Sequence, residues 1–189
     1  MPTDMPPDVL ISHGEMNLIN SFRAIWREFA LWTRSMFIAD ITGLGNLNAV
    51  FNRLYSIPEM FINQLRVIFG ENADILVQPL SMHIIYMLDL FNAQKNGDVE
   101  GVNQTTTLLY ENADELANAF AQINPFWDSA QWRNLLYQYL SLTFEESTAI
   151  LAGEFDLDVD IYDRISTFTI LLGDYTATGV LQYLEATGM

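Results

Sequence analysis

The chain contains no cysteine, so it forms no disulfide, offers no thiolate nucleophile and builds no thiolate metal site. Lysine is almost as scarce. Lys95 stands alone beside the Asn96-Gly97 turn, a poor place for a phosphate-binding or Schiff-base residue. No Gly-rich phosphate loop, dinucleotide fingerprint or Gly-x-Ser-x-Gly elbow occurs, and kinase chemistry is not expected. Histidine is limited to His13 and His83, and no Glu-x-x-His pair of the ferritin-like kind is present. No apolar run reaches the ~20 residues that span a bilayer. Cations are few, eight Lys and Arg against 24 Asp and Glu, for a net charge of −16. A surface that acidic repels phosphate backbones and anionic bilayers, so neither nucleic acid nor membrane is an expected partner. The opening MPTDMPPDVLISHGE has no basic segment before an apolar one, so no signal peptide is read. A cytoplasmic location is the expectation.

What is present is apolar and aromatic. Hydrophobic residues make up 50% of the chain and aromatics 13%, a composition that argues against disorder. The 189 residues suffice for one domain with a full core and are too few for two comfortable ones. The aromatic excess implies either a well-filled interior or apolar surface kept for a partner.

Apolar residues recur at helical spacing almost throughout, and no strand alternation or internal repeat is visible. Residues 1–15, with three prolines and a His-Gly pair, read as a flexible extension before a domain over 16–189. A first helix is expected from about Asn17 to Ile41, closed by Gly43-Leu44-Gly45. A second stretch, about Asn46 to Phe69, is divided by Pro58. A third helix runs from about Glu71 to Asn96, with Pro79 as a kink or as the true start. Asp98 caps a fourth, which ends at the Asn124-Pro125 corner. A fifth, capped by Asp128 or Ser129, extends to about Leu140, and Thr143 to Glu146 resembles a capping box opening a short continuation. The last helix runs from about Leu157 to Leu184, with Gly179 central on its stripe as a point of close helix–helix approach.

Angular position sorts the polar residues. Thr33 and Asp40 fall near the centre of the first helix's apolar stripe, where Asp40 is either solvated or paired with an arginine such as Arg53. His83 falls about 60° from the centre of its own stripe, a half-buried flank where a hydrogen-bonded structural histidine is the ordinary outcome. Asn112 occupies the same relative edge on the fourth helix. Glu111, Asp114 and Glu115 point away and read as a solvated face. Asp156, Asp158 and Asp160 resemble part of a calcium loop, yet lack its glycine and closing Glu. They open a helix, where acids suit the dipole. Trp26, Trp32, Trp127 and Trp132 would either fill the core or line a cleft for an apolar ligand.

The segments IWREFALWTR (25–34), NRLYSIPEMF (52–61), PLSMHI (79–84), LYENADELA (109–117), INPFW (123–127), WRNLLYQYLSLT (132–143) and DIYDRI (160–165) resemble a family of short bacterial all-helical proteins. Some members of that family carry the name acetylglutamate kinase, which the missing phosphate-binding features contradict for this chain. The similarity covers about Leu18 to Leu184, and no segment of it brings an assigned chemistry. The resemblance implies histidines in relatives where this chain has Phe29 and Tyr139, alongside the shared His83. A three-histidine interior cluster would suit a metal. On that resemblance, two of the three ligands would be absent here, replaced by Phe29 and Tyr139.

The expectation is therefore an all-α, single-domain antiparallel helical bundle of about six helices, four of them long. The leading functional reading is a non-enzymatic cytoplasmic protein that forms a homodimer and binds a partner or a small apolar ligand. The ligand or interior polar cluster is placed at Trp26, Phe29, Thr33, His83, Asn112 and Tyr139, with no catalytic residue, cofactor or bound metal. The alternative is a metal-binding ferritin-like or hydrolase-like bundle with a degenerate site around His83.

Overall fold

The computed structural model describes residues 12–43 and 45–188, and every element among them is a helix. Helix α1 (His13–Thr42) begins earlier than its apolar pattern suggests, because Ser12 and Glu15 form a capping box. Ser12 Oγ accepts from the Glu15 amide at 3.1 Å, and Glu15 returns a bond to the Ser12 amide at 2.6 Å. Residues 12–15 thus belong to α1, whereas residues 1–11 of the expected extension lie outside the described residues.

A segmented rod follows: α2 (Leu47–Tyr55), α3 (Ile57–Phe69), a 3-10 turn (Gly70–Leu76) and α4 (Val77–Lys95). Pro58 lies in the first turn of α3, where a missing N–H costs nothing. The expected start of the third helix near Glu71 is corrected to Val77. Pro79 lies in the first turn of α4 for the same reason that Pro58 opens α3. Taken as one helix, Leu47–Lys95 is long and apolar enough to cross a membrane by length and composition, although it holds no unbroken apolar run of that length. It is cut near Ser56 and Gly70, and Leu54, Leu65 and Leu76 are buried in the core.

Asp98 caps α5 (Val99–Ile123) by accepting from the Gly101 amide at 3.0 Å. The corner after it is an Asx turn, in which Asn124 Oδ1 accepts from the Phe126 amide at 3.0 Å. Asp128 then caps α6 (Ser129–Ala152), which runs without interruption. The expected break near Leu140 is absent because Ser141-Leu142-Thr143 contains no helix breaker. Thr143 Oγ1 donates to the Tyr139 carbonyl four residues back at 2.9 Å instead of capping a new helix. Helix α7 (Phe155–Thr187) completes the chain. Where six helices were expected, the described residues form seven α-helical segments in five rods, with Leu47–Lys95 as the segmented one.

Helix α1 packs along α7, α7 against α6, α6 against α5 and α5 against α4, around one contiguous apolar core. Helices α1 and α7 approach closely at Gly173, where a Cβ would meet the Arg23 backbone at 2.6 Å. Gly179, expected to mark that approach, instead receives the Trp127 indole, whose Nε1 would lie 2.0 Å from a Cβ. Trp127 Nε1 donates to the Thr176 carbonyl at 3.3 Å, so this indole ties the corner to α7.

Candidate functional site

Four of the six residues singled out from the sequence line one interior pocket. Trp26 and Phe29 come from α1, His83 from α4 and Tyr139 from α6, and leucine, isoleucine, proline and phenylalanine side chains from α1, α3, α4, α5 and α6 complete it. Ring centroids of Phe29 lie 6.1 Å from His83 and 6.0 Å from Tyr139, and Trp26 lies 6.4 Å from Tyr139. The pocket is partly open, with a volume of about 40 Å³, and its wall is almost wholly apolar although His83 and Tyr139 contribute to it. Trp26 is held in place by its own Nε1, which donates to Thr176 Oγ1 at 3.1 Å. Of the other tryptophans proposed as cleft walls, Trp127 and Trp132 are core residues, and Trp32 stacks under the Arg53 guanidinium.

Asn112 stands directly behind His83. The flank positions expected for both are corrected to full burial, because α4 and α5 pack along their lengths and bring the two edges face to face. Asn112 Nδ2 donates to the Pro79 carbonyl at 2.9 Å, and Asn112 Oδ1 lies 2.8 Å from His83 Nδ1. A carbonyl can only accept, so Pro79 fixes which end of the Asn112 amide faces it. The other end is then an acceptor, and His83 Nδ1 must carry the proton. Burial pushes the His83 pKa down to about 4, opposed by the hydrogen bond to Asn112, so the ring is neutral at physiological pH. Its Nε2 is therefore an unprotonated acceptor.

Thr33, the sixth expected residue, is buried one turn beyond Phe29, and its Oγ1 has no hydrogen-bond partner among the described residues. Its neighbour Arg34 belongs to a second interior cluster that residue-by-residue reading of the sequence missed. Arg34 engages Asp158 through both carboxylate oxygens, with Nε at 3.2 Å from Oδ1. The same Nε lies 3.4 Å from Glu146 Oε1, and the guanidinium sits 5.1 Å over the Tyr162 ring. Glu146 and Asp158 are both almost fully buried, so two carboxyls share one cation. Burial pushes the Glu146 pKa up to about 8, reinforced by Asp158 and opposed by Arg34. Glu146 thus holds its proton at neutral pH, leaving a balanced Arg34–Asp158 pair. Tyr139 joins the two clusters: burial raises its hydroxyl pKa, and Glu146 and Tyr162 push the same way.

The signal for this cluster was in the sequence. Asp158 lies three residues before Ile161 and seven before Ile165, on the apolar stripe of α7, and Glu146 lies seven after Tyr139. Reading Asp158 as a dipole or calcium residue and Glu146 as half of a capping box hid that periodicity. Asp40 pairs with Lys95 at 2.9 Å, not with Arg53, whose partner is Glu28. Asp114 pairs with Arg133 at 2.7 Å on the surface. Among the described residues no group of three or more His, Cys, Asp or Glu side chains is placed to hold a metal ion. Comparison with known proteins finds no match: no family model, no curated protein and no solved structure is similar to this chain.

Proposed function

We propose that this is a non-enzymatic binding protein whose site is the apolar pocket headed by His83. The observation that carries the reading is a partly open cavity of about 40 Å³ walled by aromatic and aliphatic side chains, with the neutral His83 ring and Tyr139 among them. No nucleophile adjoins a base there, and a histidine held near pKa 4 is a poor general base at neutral pH. In this reading the helices form an antiparallel bundle, which the short connections Asn96–Asp98 and Gly153–Glu154 support.

The protein works in the cytoplasm as a homodimer, away from nucleic acids and membranes. Seven of the eight Lys and Arg side chains are engaged in ion pairs, so no basic patch offsets the net charge of −16. Val67, Val99 and Phe155 are strongly exposed apolar residues that favour self-association. Elution as a strict monomer at high concentration would contradict the dimer. The positions that the family resemblance marks, 29, 83 and 139, converge on this one pocket, which supports its being the functional place in the fold.

Xenon, an apolar sphere, tests the pocket without any hydrogen bond. A saturable xenon NMR shift is expected, lost when Leu80→Trp fills the cavity and enlarged by Phe29→Ala. A shift that does not saturate and is indifferent to both variants would overturn the assignment.

A further inference from the structure

The hydrogen-bond chain behind the pocket specifies what it accepts. Pro79 carbonyl orients the Asn112 amide, Asn112 Oδ1 takes the proton of His83 Nδ1, and Nε2 is left as a lone-pair acceptor with no protein partner among the described residues. Nothing in this chain can reverse, because its last member is a backbone carbonyl that has no proton to give. The pocket side of His83 thus asks for a donor.

Three donor classes compete for that lone pair. Water needs two to four polar partners to be held in a cavity, and the wall supplies His83 with almost nothing else polar. Cations are opposed by the absence of any carboxylate on the lining, and anions by the absence of any cation. A hydroxyl on a short apolar body satisfies Nε2 with its proton and the aromatic wall with its carbons. Volume sets the size. About 40 Å³ admits a few heavy atoms, well under the ~150 Å³ cavity that takes up benzene in an engineered core. The lining residues nearest solvent, half-buried Ile25 and Leu80, leave room for an aliphatic tail to extend outward.

Resting on the pocket reading above, we propose that the ligand is a small neutral aliphatic alcohol whose hydroxyl donates to His83 Nε2. The site discriminates by donor, because an isostere without one leaves the buried nitrogen unpaired.

The isomers 1-butanol and diethyl ether test this on the unmodified protein, since they share atoms and differ in the donor. Titrations followed by the His83 and Trp26 ring resonances should show saturable binding of 1-butanol at least about tenfold tighter than of the ether, with butyrate excluded. In His83→Phe the two isomers should bind alike. Equal affinity for ether and alcohol in the unmodified protein would overturn the donor requirement while leaving the apolar pocket standing. Butyrate binding as tightly as butanol would also overturn it. If xenon, ether and alcohol all fail to saturate, the pocket assignment and the alcohol fall together.

Discussion

The His83 pocket and the Arg34 cluster both draw on α1 and α6, the first completed by α3, α4 and α5 and the second by α7. They handle buried polarity in opposite ways. Around His83 the groups are neutral, and a directional chain from Pro79 through Asn112 leaves Nε2 as the ring's acceptor. Around Arg34 formal charges meet, and a proton on Glu146 brings two carboxyls and one guanidinium into balance. The second arrangement ties α1, α6 and α7 together. Neutral, ordered hydrogen bonds tolerate a cavity beside them, whereas a buried charge must be enclosed by its counterion or it costs several kcal/mol.

Removing the shared cation should show the difference most strongly. Arg34→Met leaves Asp158 and Glu146 buried without a counterion and should cost about 3–5 kcal/mol, read as a loss of roughly ten degrees or more in Tm. The pocket should survive in whatever fraction stays folded, because no lining residue touches Arg34 charge directly.

The pH dependence of stability comes next and separates the two sites by sign. His83 drops from an ordinary 6.5 to about 4 on folding, so the unfolded chain binds more protons in that window and stability rises with pH from about 4 to 6.5. Glu146 rises from 4.5 to about 8, so the folded chain binds more protons and stability falls as pH goes from 4.5 to 8. The two slopes oppose each other up to pH 6.5. Above it Glu146 acts alone, at about 1.4 kcal/mol per pH unit, for a loss of about 2 kcal/mol by pH 8. Denaturant melts at stepped pH should show this decline, and Glu146→Gln should flatten it.

Asn112→Ala should cost about 1–2 kcal/mol, because it strands the His83 Nδ1–H inside the protein. Replacing the pair with apolar groups, His83→Phe with Asn112→Leu, should recover most of that loss in a double-mutant cycle. The smallest effect belongs to Thr33→Val. Its hydroxyl has no partner among the described residues, so chemical denaturation should find the variant within about 1 kcal/mol of the parent, on the stabilising side.

Helical periodicity and turn chemistry were enough to place most elements, since Asp98, Asp128, Gly43 and the Asn124-Pro125 corner each act locally. The misplacements arose where local signals have two uses. Thr143 and Glu146 match a capping box, but Thr143 bonds back to Tyr139 and Glu146 faces Arg34. Pro79 permits a kink or a first turn, and only packing of the 3-10 turn against its neighbours decides. His83 and Asn112 were both visible as stripe edges. Their burial was not, because it depends on which two helices put those edges together. Ion-pair partners such as Lys95 for Asp40 are likewise a matter of tertiary approach and not of sequence spacing.

The claim on which both the function and the ligand rest is the state of one imidazole. Nitrogen-resolved NMR of the His83 ring, assigned by comparison with His13→Gln, reads it directly. The expected result is a proton on Nδ1, an unprotonated Nε2 and no titration between pH 5 and 8. A proton on Nε2, or a titration midpoint near the ordinary 6.5, would contradict it.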